Sequence, residues 1–242
     1  MRSTATDPSH ADATPPELSW VLPLYRTAAQ LEELLARIGA VSRRLAVRSE
    51  IVLVDDACPE GCGAQAERIA MRDPDVHVVR HACNQGQDAA LRTGLRRSRG
   101  RWCVLLDADL QDPPEAVERL WSLREDWDIV FAQRTGRYSS RGRRLGSRLY
   151  RAAAALVGGL PHGACLYVLL SRDVVQRINL AQRPRLSLLA LIAATRGRSV
   201  CVAIQRDRRR IGVSAYRSRD RWAKAVGSLW QLFAARRLHR VL

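Results

Sequence analysis

The segment CVLLDADLQDPPE, residues 103–115, carries an apolar run directly into acidic residues and then into two prolines. Residues 104–106 predict a short strand covered on both faces, and the prolines end it because proline resists strand continuation. In an open parallel sheet, the turn at the carboxyl end of a strand is where ligands bind. Asp107 and Asp109 are separated by one residue, so both carboxylates could flank one hard cation. The alternative for so short a motif is a solvated acidic turn.

Strands and helices alternate along the first half of the chain. Short apolar runs indicate the strands, and one-face apolar spacing, such as that of Leu31, Leu34 and Ile38, indicates the helices. The predicted strands are residues 19–24, 50–56, 76–80, 104–106 and 127–134, and the predicted helices lie near residues 31–38, 64–71, 87–98 and 114–123. This alternation is typical of an α/β fold whose mostly parallel sheet carries helices on both faces.

Size and composition exclude several classes of protein. The 242 residues can bury one large core or two small ones, and no apolar stretch approaches the ~18 to 20 residues of a membrane span. Residues 1–17 lack a signal-peptide pattern and predict a disordered tail. Six cysteines in this length favour a reducing cytoplasm over a disulfide scaffold. Cys58 and Cys62 could be half of a metal site, but no matching second pair follows, which favours an inert pair.

Charge is distributed unevenly between the two halves. Residues 1–133 hold 16 arginines and 21 acidic residues, whereas residues 134–242 hold 23 arginines, one lysine and three acidic residues. The basic second half predicts an anionic partner, which could be a nucleic acid, a phosphate or a membrane surface. A nucleic-acid-binding module is the rival interpretation, but RNP-type aromatic residues, a zinc finger and a clear helix-turn-helix are missing from the sequence. No nucleic-acid partner is therefore expected.

Four carboxylates are expected at one edge of the sheet. Asp55 and Asp56 end one predicted strand as Asp107 and Asp109 end another, so all four would lie at the carboxyl edge. Such a cluster repels itself unless a cation lies within it, and Mg²⁺ or Mn²⁺ bound to a diphosphate would remove the repulsion. The sequence has no Gly-x-x-x-x-Gly-Lys phosphate loop. These features predict a nucleotide-diphosphate site that holds phosphate through metal and arginine.

Four ordered segments then resemble one enzyme family. WVLPLYRTAAQLEELL, EIVLVDDACPEG, NQGQDAALRTGL and LLDADLQDPPE are similar to consecutive motifs of the family 2 glycosyltransferases, in particular the polyprenyl-phosphate branch that includes dolichyl-phosphate mannosyltransferase. The resemblance implies a GT-A-type, Rossmann-like domain over residues 18–216. It also implies a metal-dependent inverting transfer of a sugar from a nucleotide-diphosphate sugar to undecaprenyl or dolichyl phosphate, with Mg²⁺ or Mn²⁺ as cofactor.

The same resemblance implies a role for individual residues. The implied nucleotide-sugar site consists of Pro23, Tyr25, Asp55, Asp56, Asp107, Arg209, Ser214 and Tyr216. The implied metal ligands are Asp107, Asp109 and Gln111. The implied catalytic residues are Asp107, Asp109, Arg134, Arg143 and Ser147, of which the last three would hold the acceptor phosphate.

The chain also departs from the family pattern. Arg26 and Thr27 stand where the family usually has Asn-Glu, and residues 57–61, ACPEG, replace its usual Gly-Ser-Thr-Asp run. The nucleotide base and the sugar therefore stay open. A sugar-hydroxyl acceptor would need a carboxylate base, and none is evident near residues 160–170, which favours a phosphate acceptor. The sequence is also compatible with a nucleotidyltransferase on a related sheet and with an inactive member of the family.

Residues 217–242 form a basic segment with an apolar face. As a helix, residues 221–235 would place Trp222, Val226, Leu229 and Phe233 on one side. Such a segment suits the headgroup region of an anionic membrane, and the alternative is that its apolar face packs onto the sheet. We therefore expect a cytoplasmic protein that is peripheral on the cytoplasmic face of the membrane.

Overall fold

Seven strands pair into one sheet in the computed structural model, which describes residues 14–135, 159–181, 183 and 186–205. In chain order the strands are β1 (Leu18–Leu24), β2 (Ser49–Asp55), β3 (Val76–Arg80), β4 (Trp102–Leu105), β5 (Ile129–Thr135), β6 (Val168–Ser171) and β7 (Ser199–Gln205). Their order across the sheet is β3-β2-β1-β4-β6-β5-β7. β6 is antiparallel to β4 and β5, and the other neighbouring pairs are parallel. The predicted mostly parallel sheet is therefore confirmed.

Six α-helices in the described ranges cover both faces of this sheet. They are α1 (Leu31–Arg44), α2 (Cys62–Ala70), α3 (Gln87–Arg97), α4 (Val117–Trp121), α5 (Arg172–Leu180) and α6 (Leu188–Thr195). β1 shows how the faces divide, because successive side chains of a strand point to opposite sides. Trp20 packs in a core with α1, α2 and α4, whereas Val21 packs in a second core with α3, α5 and α6. Helices on both faces were predicted, and the structure confirms them.

Some element bounds differ from those predicted. β4 begins at Trp102 and ends at Leu105, although the Leu106 amide still donates to the Val21 carbonyl at 3.2 Å. The predicted helix at residues 114–123 is divided into a 3-10 turn, Pro114–Ala116, and the short helix α4. β6 was not predicted, because an apolar run of four residues fits a strand and a buried helix equally well.

The loops after β1, β2 and β4 leave the sheet at the same edge. β5 ends there too, since it is separated from β4 by two antiparallel pairings. Each of the three loops contains one non-glycine residue in the left-handed region, with φ of 57° at Arg26, 53° at Ala57 and 55° at Leu110. This conformation costs roughly 1–2 kcal/mol for a residue with a Cβ. Left-handed residues also precede β2, at Ala46, and β7, at Arg196, so this conformation is not confined to the carboxyl edge.

The opposite, amino edge is held by a buried carboxylate. Glu50 is 1% exposed, and it accepts hydrogen bonds from Ser19 Oγ at 2.7 Å and from Arg99 Nε at 3.0 Å. Ser19 Oγ in turn accepts the Gly100 amide at 2.8 Å. Burial acts to raise the pKa of Glu50, but the hydrogen bonds from Ser19 and Arg99 outweigh it and lower the pKa below its ordinary value. The network joins the starts of β1, β2 and β4.

Two predicted segments fall wholly or largely outside the described ranges. Residues 1–13 of the predicted tail and the predicted amphipathic helix at residues 217–242 are among those not described. Within the predicted tail, Glu17 donates its amide to the Arg48 carbonyl at 2.9 Å, and Pro16 accepts the Arg101 amide at 3.1 Å. Among the helices that are described, none has the length and apolarity to cross a membrane.

Candidate active site

Asp55 ends β2, Asp56 directly follows it, and the two carboxylates hold two different loops. Oδ1 of Asp55 accepts the Cys58 amide at 2.9 Å, which closes the loop that follows β2. Oδ1 of Asp56 accepts the Gln85 amide at 2.8 Å, and its Oδ2 accepts the Gly86 amide at 2.7 Å. Asp56 therefore fixes the loop before α3 and Asp55 fixes its own loop.

Asp55 is packed against a helix and an arginine. Its Oδ2 accepts Arg80 Nε at 3.3 Å, and the residue is 2% exposed. Gly63 in α2 faces the same oxygen, because a Cβ added at Gly63 would lie 2.2 Å from Oδ2. Only glycine lets α2 approach the carboxylate this closely. The backbone at Gly63 is thus part of what sets the position of Asp55.

His81 was missed by sequence reasoning. Its Nδ1 lies 2.8 Å from Oδ1 of Asp56, and its Nε2 lies 3.0 Å from Thr93 Oγ1 on α3. The His81 ring therefore links Asp56, directly after β2, to α3, which packs on the Val21 face of the sheet. A histidine directly after a predicted strand, in RHACNQGQ, was the available signal.

Asp107, the first acid of the Asp-x-Asp motif, is contacted from two directions. Oδ2 accepts a hydrogen bond from Arg134 Nη2 at 3.2 Å, and Oδ1 accepts one from Nε2 of Gln87 at the start of α3. About a quarter of its side chain, 26%, stays exposed. The structure therefore brings together two predicted site residues, Asp107 from the loop after β4 and Arg134 from β5.

Asp112 is a second acid on Arg134 that sequence reasoning did not single out. It is fully buried, Arg134 Nε donates to its Oδ1 at 3.0 Å, and Arg134 Nη2 donates to its Oδ2. Burial alone would lower the pKa of Arg134, but Asp112 first, with further neighbours including Asp107, raises it well above its ordinary value. Arg134 therefore stays charged, and its guanidinium is fixed in one orientation.

Asp109 and Gln111 lie in the turn between the two arginine-bound acids. Oδ1 of Asp109 accepts the Gln111 amide at 3.1 Å, across the left-handed residue Leu110. Tyr167, fully buried directly before β6, donates its hydroxyl to the Pro113 carbonyl at 2.7 Å. Burial raises the pKa of Tyr167 well above its ordinary value, so this donor keeps its proton. These two hydrogen bonds fix the turn at Asp109 and at Pro113.

The expected single cluster of four carboxylates is wrong for the described residues. Within the described part of the chain, no three His, Cys, Asp or Glu side chains group closely enough to hold a metal. Asp55 and Asp56 are instead satisfied by Arg80 and by loop amides, and Asp107 by Arg134. Asp55, Asp56 and Asp107 therefore each have a separate partner that offsets repulsion from the neighbouring acids.

Of the remaining predicted site residues, two lie in the described ranges and five lie outside them. Pro23 lies in β1 beside Val54 of β2. Tyr25 directly follows β1 and is 41% exposed, with the Arg26 guanidinium 5.6 Å from its ring centroid. Both therefore lie at the carboxyl edge, near Asp55. The predicted residues outside the described ranges are Arg143, Ser147, Arg209, Ser214 and Tyr216.

Comparison with known proteins gives a consistent result. Residues 19–178 match the model of glycosyl transferase family 2. The undecaprenyl-phosphate 4-deoxy-4-formamido-L-arabinose transferase of Pseudomonas paraeruginosa is 35% identical over 205 residues, which cover 82% of this chain and 60% of that protein. The chain thus spans about 60% of the length of the curated relative.

Solved structures agree on the fold. A mannosyltransferase from Pyrobaculum calidifontis, in complex with GDP-Man and Mn²⁺, superposes with a TM-score of 0.60 at 23% identity, covering 91% of this chain and 64% of that one. Glucosyl-3-phosphoglycerate synthase from Mycobacterium tuberculosis, with Mn²⁺ and UDP, gives 0.61 at 18% identity, covering 91% and 80%. The sheet has the GT-A architecture of these enzymes, and the chain belongs to glycosyl transferase family 2.

Proposed function

We propose that this chain transfers a sugar from a nucleotide-diphosphate sugar to a polyprenyl phosphate, with inversion at the anomeric carbon. The observation that carries the proposal is the ion pair of Arg134 with Asp107 and Asp112. It sets a fixed cation beside the Asp-x-Asp motif, at the edge where the phosphates of donor and acceptor have to meet. The name of the relative in Pseudomonas paraeruginosa, an undecaprenyl-phosphate sugar transferase, supports the same acceptor class.

The proposed reaction needs little proton chemistry from the protein. An oxygen of the lipid phosphate attacks the anomeric carbon, a bond forms between them, and the bond to the nucleoside diphosphate breaks with its electrons on the leaving oxygen. A phosphate monoester is already anionic near neutral pH, so the attack requires no protein base. Alignment of the two reactants can contribute on the order of 7 to 11 kcal/mol.

The residues of the motif suit a divalent cation. Asp107, Asp109 and Gln111 offer hard oxygen ligands, which Mg²⁺ and Mn²⁺ prefer. Because no third acidic or histidine ligand is grouped with them in the described ranges, the donor diphosphate would complete the coordination, as is usual for Mg²⁺ at phosphate sites. When bound, the ion stabilises charge on the leaving diphosphate. The Mn²⁺ complexes of the two solved relatives support this assignment.

Arg134 is proposed to hold the acceptor phosphate. Its side chain is 32% exposed, so the guanidinium is anchored on Asp112 and still accessible. An arginine fork binds phosphate oxygens in a fixed geometry. Arg143, Ser147 and, over the diphosphate, Arg209, Ser214 and Tyr216 are proposed to complete the phosphate sites.

The nucleotide is proposed to lie against Pro23 and Tyr25, with its base towards Asp55. The exposed ring of Tyr25 offers a stacking surface. Because Asp55 is 2% exposed, a direct contact with the base requires residues 57–61 to shift. Asp56 supports the site by holding Gln85 and Gly86. The basic residues 217–242 are proposed to contact an anionic membrane on its cytoplasmic face.

The test is a donor and acceptor assay on the purified chain. A thermal-shift panel of UDP, GDP, CDP and TDP sugars, each with Mg²⁺ or Mn²⁺, identifies the donor, since a ligand at a hundred times its Kd stabilises by about 2.7 kcal/mol. Incubation of that donor with undecaprenyl phosphate should then yield a lipid-linked sugar. Transfer only to sugar hydroxyls, or salt-sensitive DNA binding without any nucleotide-sugar binding, would contradict the proposal.

A further inference from the structure

Cys58 and Cys62 are in contact beside the proposed nucleotide site. Their Sγ atoms lie 2.6 Å apart, whereas a disulfide has about 2.05 Å. Cys58 is in the loop after β2, Cys62 is the first residue of α2, and Gly61 between them has a φ of 76°, which turns the chain back on itself. The two thiols could therefore bond after a small movement of their side chains.

The two thiols differ in the way that disulfide exchange requires. Cys58 is half-buried, whereas Cys62 is fully buried. Burial acts to raise the pKa of Cys58, but hydrogen bonds from the Cys62 thiol and from backbone amides, including that of Arg26 at 3.1 Å, lower it overall. Burial, together with Cys58, raises the pKa of Cys62. An accessible thiol with a lowered pKa beside a protected one is the arrangement of attacking and resolving cysteines.

We propose that Cys58 and Cys62 form a redox-modification site that a low-molecular-weight disulfide oxidises to an intramolecular disulfide. The Cys58 thiolate attacks one sulfur of the small disulfide, forms a mixed disulfide and releases one small thiolate. Cys62 loses its proton to solvent, attacks the Cys58 sulfur and releases the second small thiolate. Overall the two cysteines lose two protons and two electrons, and the small disulfide takes them up to become two thiols.

Oxidation would change the loops that border the proposed nucleotide site, and this second step rests on the proposed function. Cys58 donates its amide to Asp55 Oδ1 at 2.9 Å, and its sulfur accepts the Arg26 amide from the loop after β1. A disulfide sulfur is a poorer acceptor than the sulfur of a free cysteine, so the hydrogen bond from the Arg26 amide is expected to weaken or break. We expect the Kd of the donor to rise about fivefold, which is the change in affinity that the loss of one ordinary hydrogen bond produces.

The modification is tested directly by peptide mass. Trypsin releases residues 49–68, SEIVLVDDACPEGCGAQAER, which hold both cysteines and no other. After incubation of the folded, reduced chain with oxidised glutathione, this peptide should lose two hydrogens and resist alkylation. The exposed Cys83 lies in the separate peptide of residues 81–92 and serves as the internal control. Two free thiols in residues 49–68, under conditions that glutathionylate Cys83, would overturn the proposal.

Two variants assign the order of attack. Cys62→Ser should trap glutathione on Cys58, and Cys58→Ser should leave Cys62 unmodified. An adduct on Cys62 in the second variant would overturn the assignment of Cys58 as the attacking thiol. Donor affinity of the oxidised and reduced wild-type chain is measured separately. An unchanged Kd with the disulfide formed would overturn the second step alone, and the mass result stands whether or not any nucleotide sugar binds.

Discussion

Arg134 Nε donates to Oδ1 of Asp112 at 3.0 Å, and the same guanidinium contacts Asp107 at 3.2 Å. One cation thus joins a fully buried acid to the first acid of the Asp-x-Asp motif. A divalent ion bound to Asp107 would share that carboxylate with Arg134. Donor and acceptor binding are therefore expected to be coupled through this residue.

Replacing Asp112 with asparagine should destabilise the fold. Breaking a buried ion pair from one side costs about 3 to 5 kcal/mol, and we expect the lower end, because Arg134 keeps its contact with Asp107. Urea denaturation measures the free energy of unfolding. Asp126→Asn, at an exposed position, is the matched control, and equal unfolding free energies for the two variants would contradict a structural role for Asp112.

Asp109→Asn should abolish metal-dependent donor binding and leave the fold intact. The substitution removes a charged oxygen ligand and almost no volume. Calorimetric titration of the donor with and without Mg²⁺ or Mn²⁺ measures the effect. Asp75→Asn, an exposed acid near the opposite edge of the sheet, should bind like the wild type. Metal-dependent affinity that persists unchanged in Asp109→Asn would sink the assignment of this ligand.

Gly63→Ala should weaken donor binding by displacing Asp55. The added Cβ would lie 2.2 Å from Asp55 Oδ2. The shifts that such a clash forces on neighbouring atoms typically lower the free energy of unfolding by about 1 to 3 kcal/mol. Gly61→Ala is the control, since its Cβ would meet no atom within 4 Å although its φ of 76° also strains alanine. We expect both variants to lose stability and only Gly63→Ala to lose donor affinity. Equal donor affinity in both would show that the position of Asp55 does not matter to binding.

The sequence predicted the carboxyl edge well because its signals are local. Asp107 follows an apolar run within one segment, and Asp55 does the same, so strand order alone brings them to one edge. Asp112 was missed although it lies in the same motif. Its role depends on Arg134, 22 residues later, and on the pairing that sets β5 two strands from β4. No pattern within either segment carries that information.

The prediction of a single four-carboxylate cluster was wrong for a related reason. Acids that share an edge were expected to face one another, but Asp55, Asp56 and Asp107 each have a partner from another element. Arg80 comes from β3, His81 follows it, and Arg134 comes from β5. These partners are distant in sequence or are ordinary residues of a strand end, so composition and spacing did not reveal them.

Acidification should destabilise the fold through Glu50. Its pKa is lower in the fold than the ordinary 4.5, so its contribution is fully present above that value and is lost as pH falls through the lowered pKa. Glu50→Gln should cost about 1.5 to 3 kcal/mol at pH 7, the range for hydrogen bonds to charged groups. The difference in unfolding free energy between wild type and variant should shrink below pH 4.5. A difference that stays constant down to about pH 3 would contradict the lowered pKa.

The antiparallel strand has a consequence for synthesis of the chain. β4 ends at Leu105, and its partner β6 begins only at Val168. At ~5–20 residues per second, the ribosome needs on the order of several seconds to supply that partner. During this interval one side of the buried strand CVL has open backbone groups, a template for pairing with other chains. A stalled chain ending at Thr135 should therefore aggregate more than one ending at Gln205, which light scattering after release would measure. The nascent first half depends for its solubility on whatever shields β4 until β6 has been made.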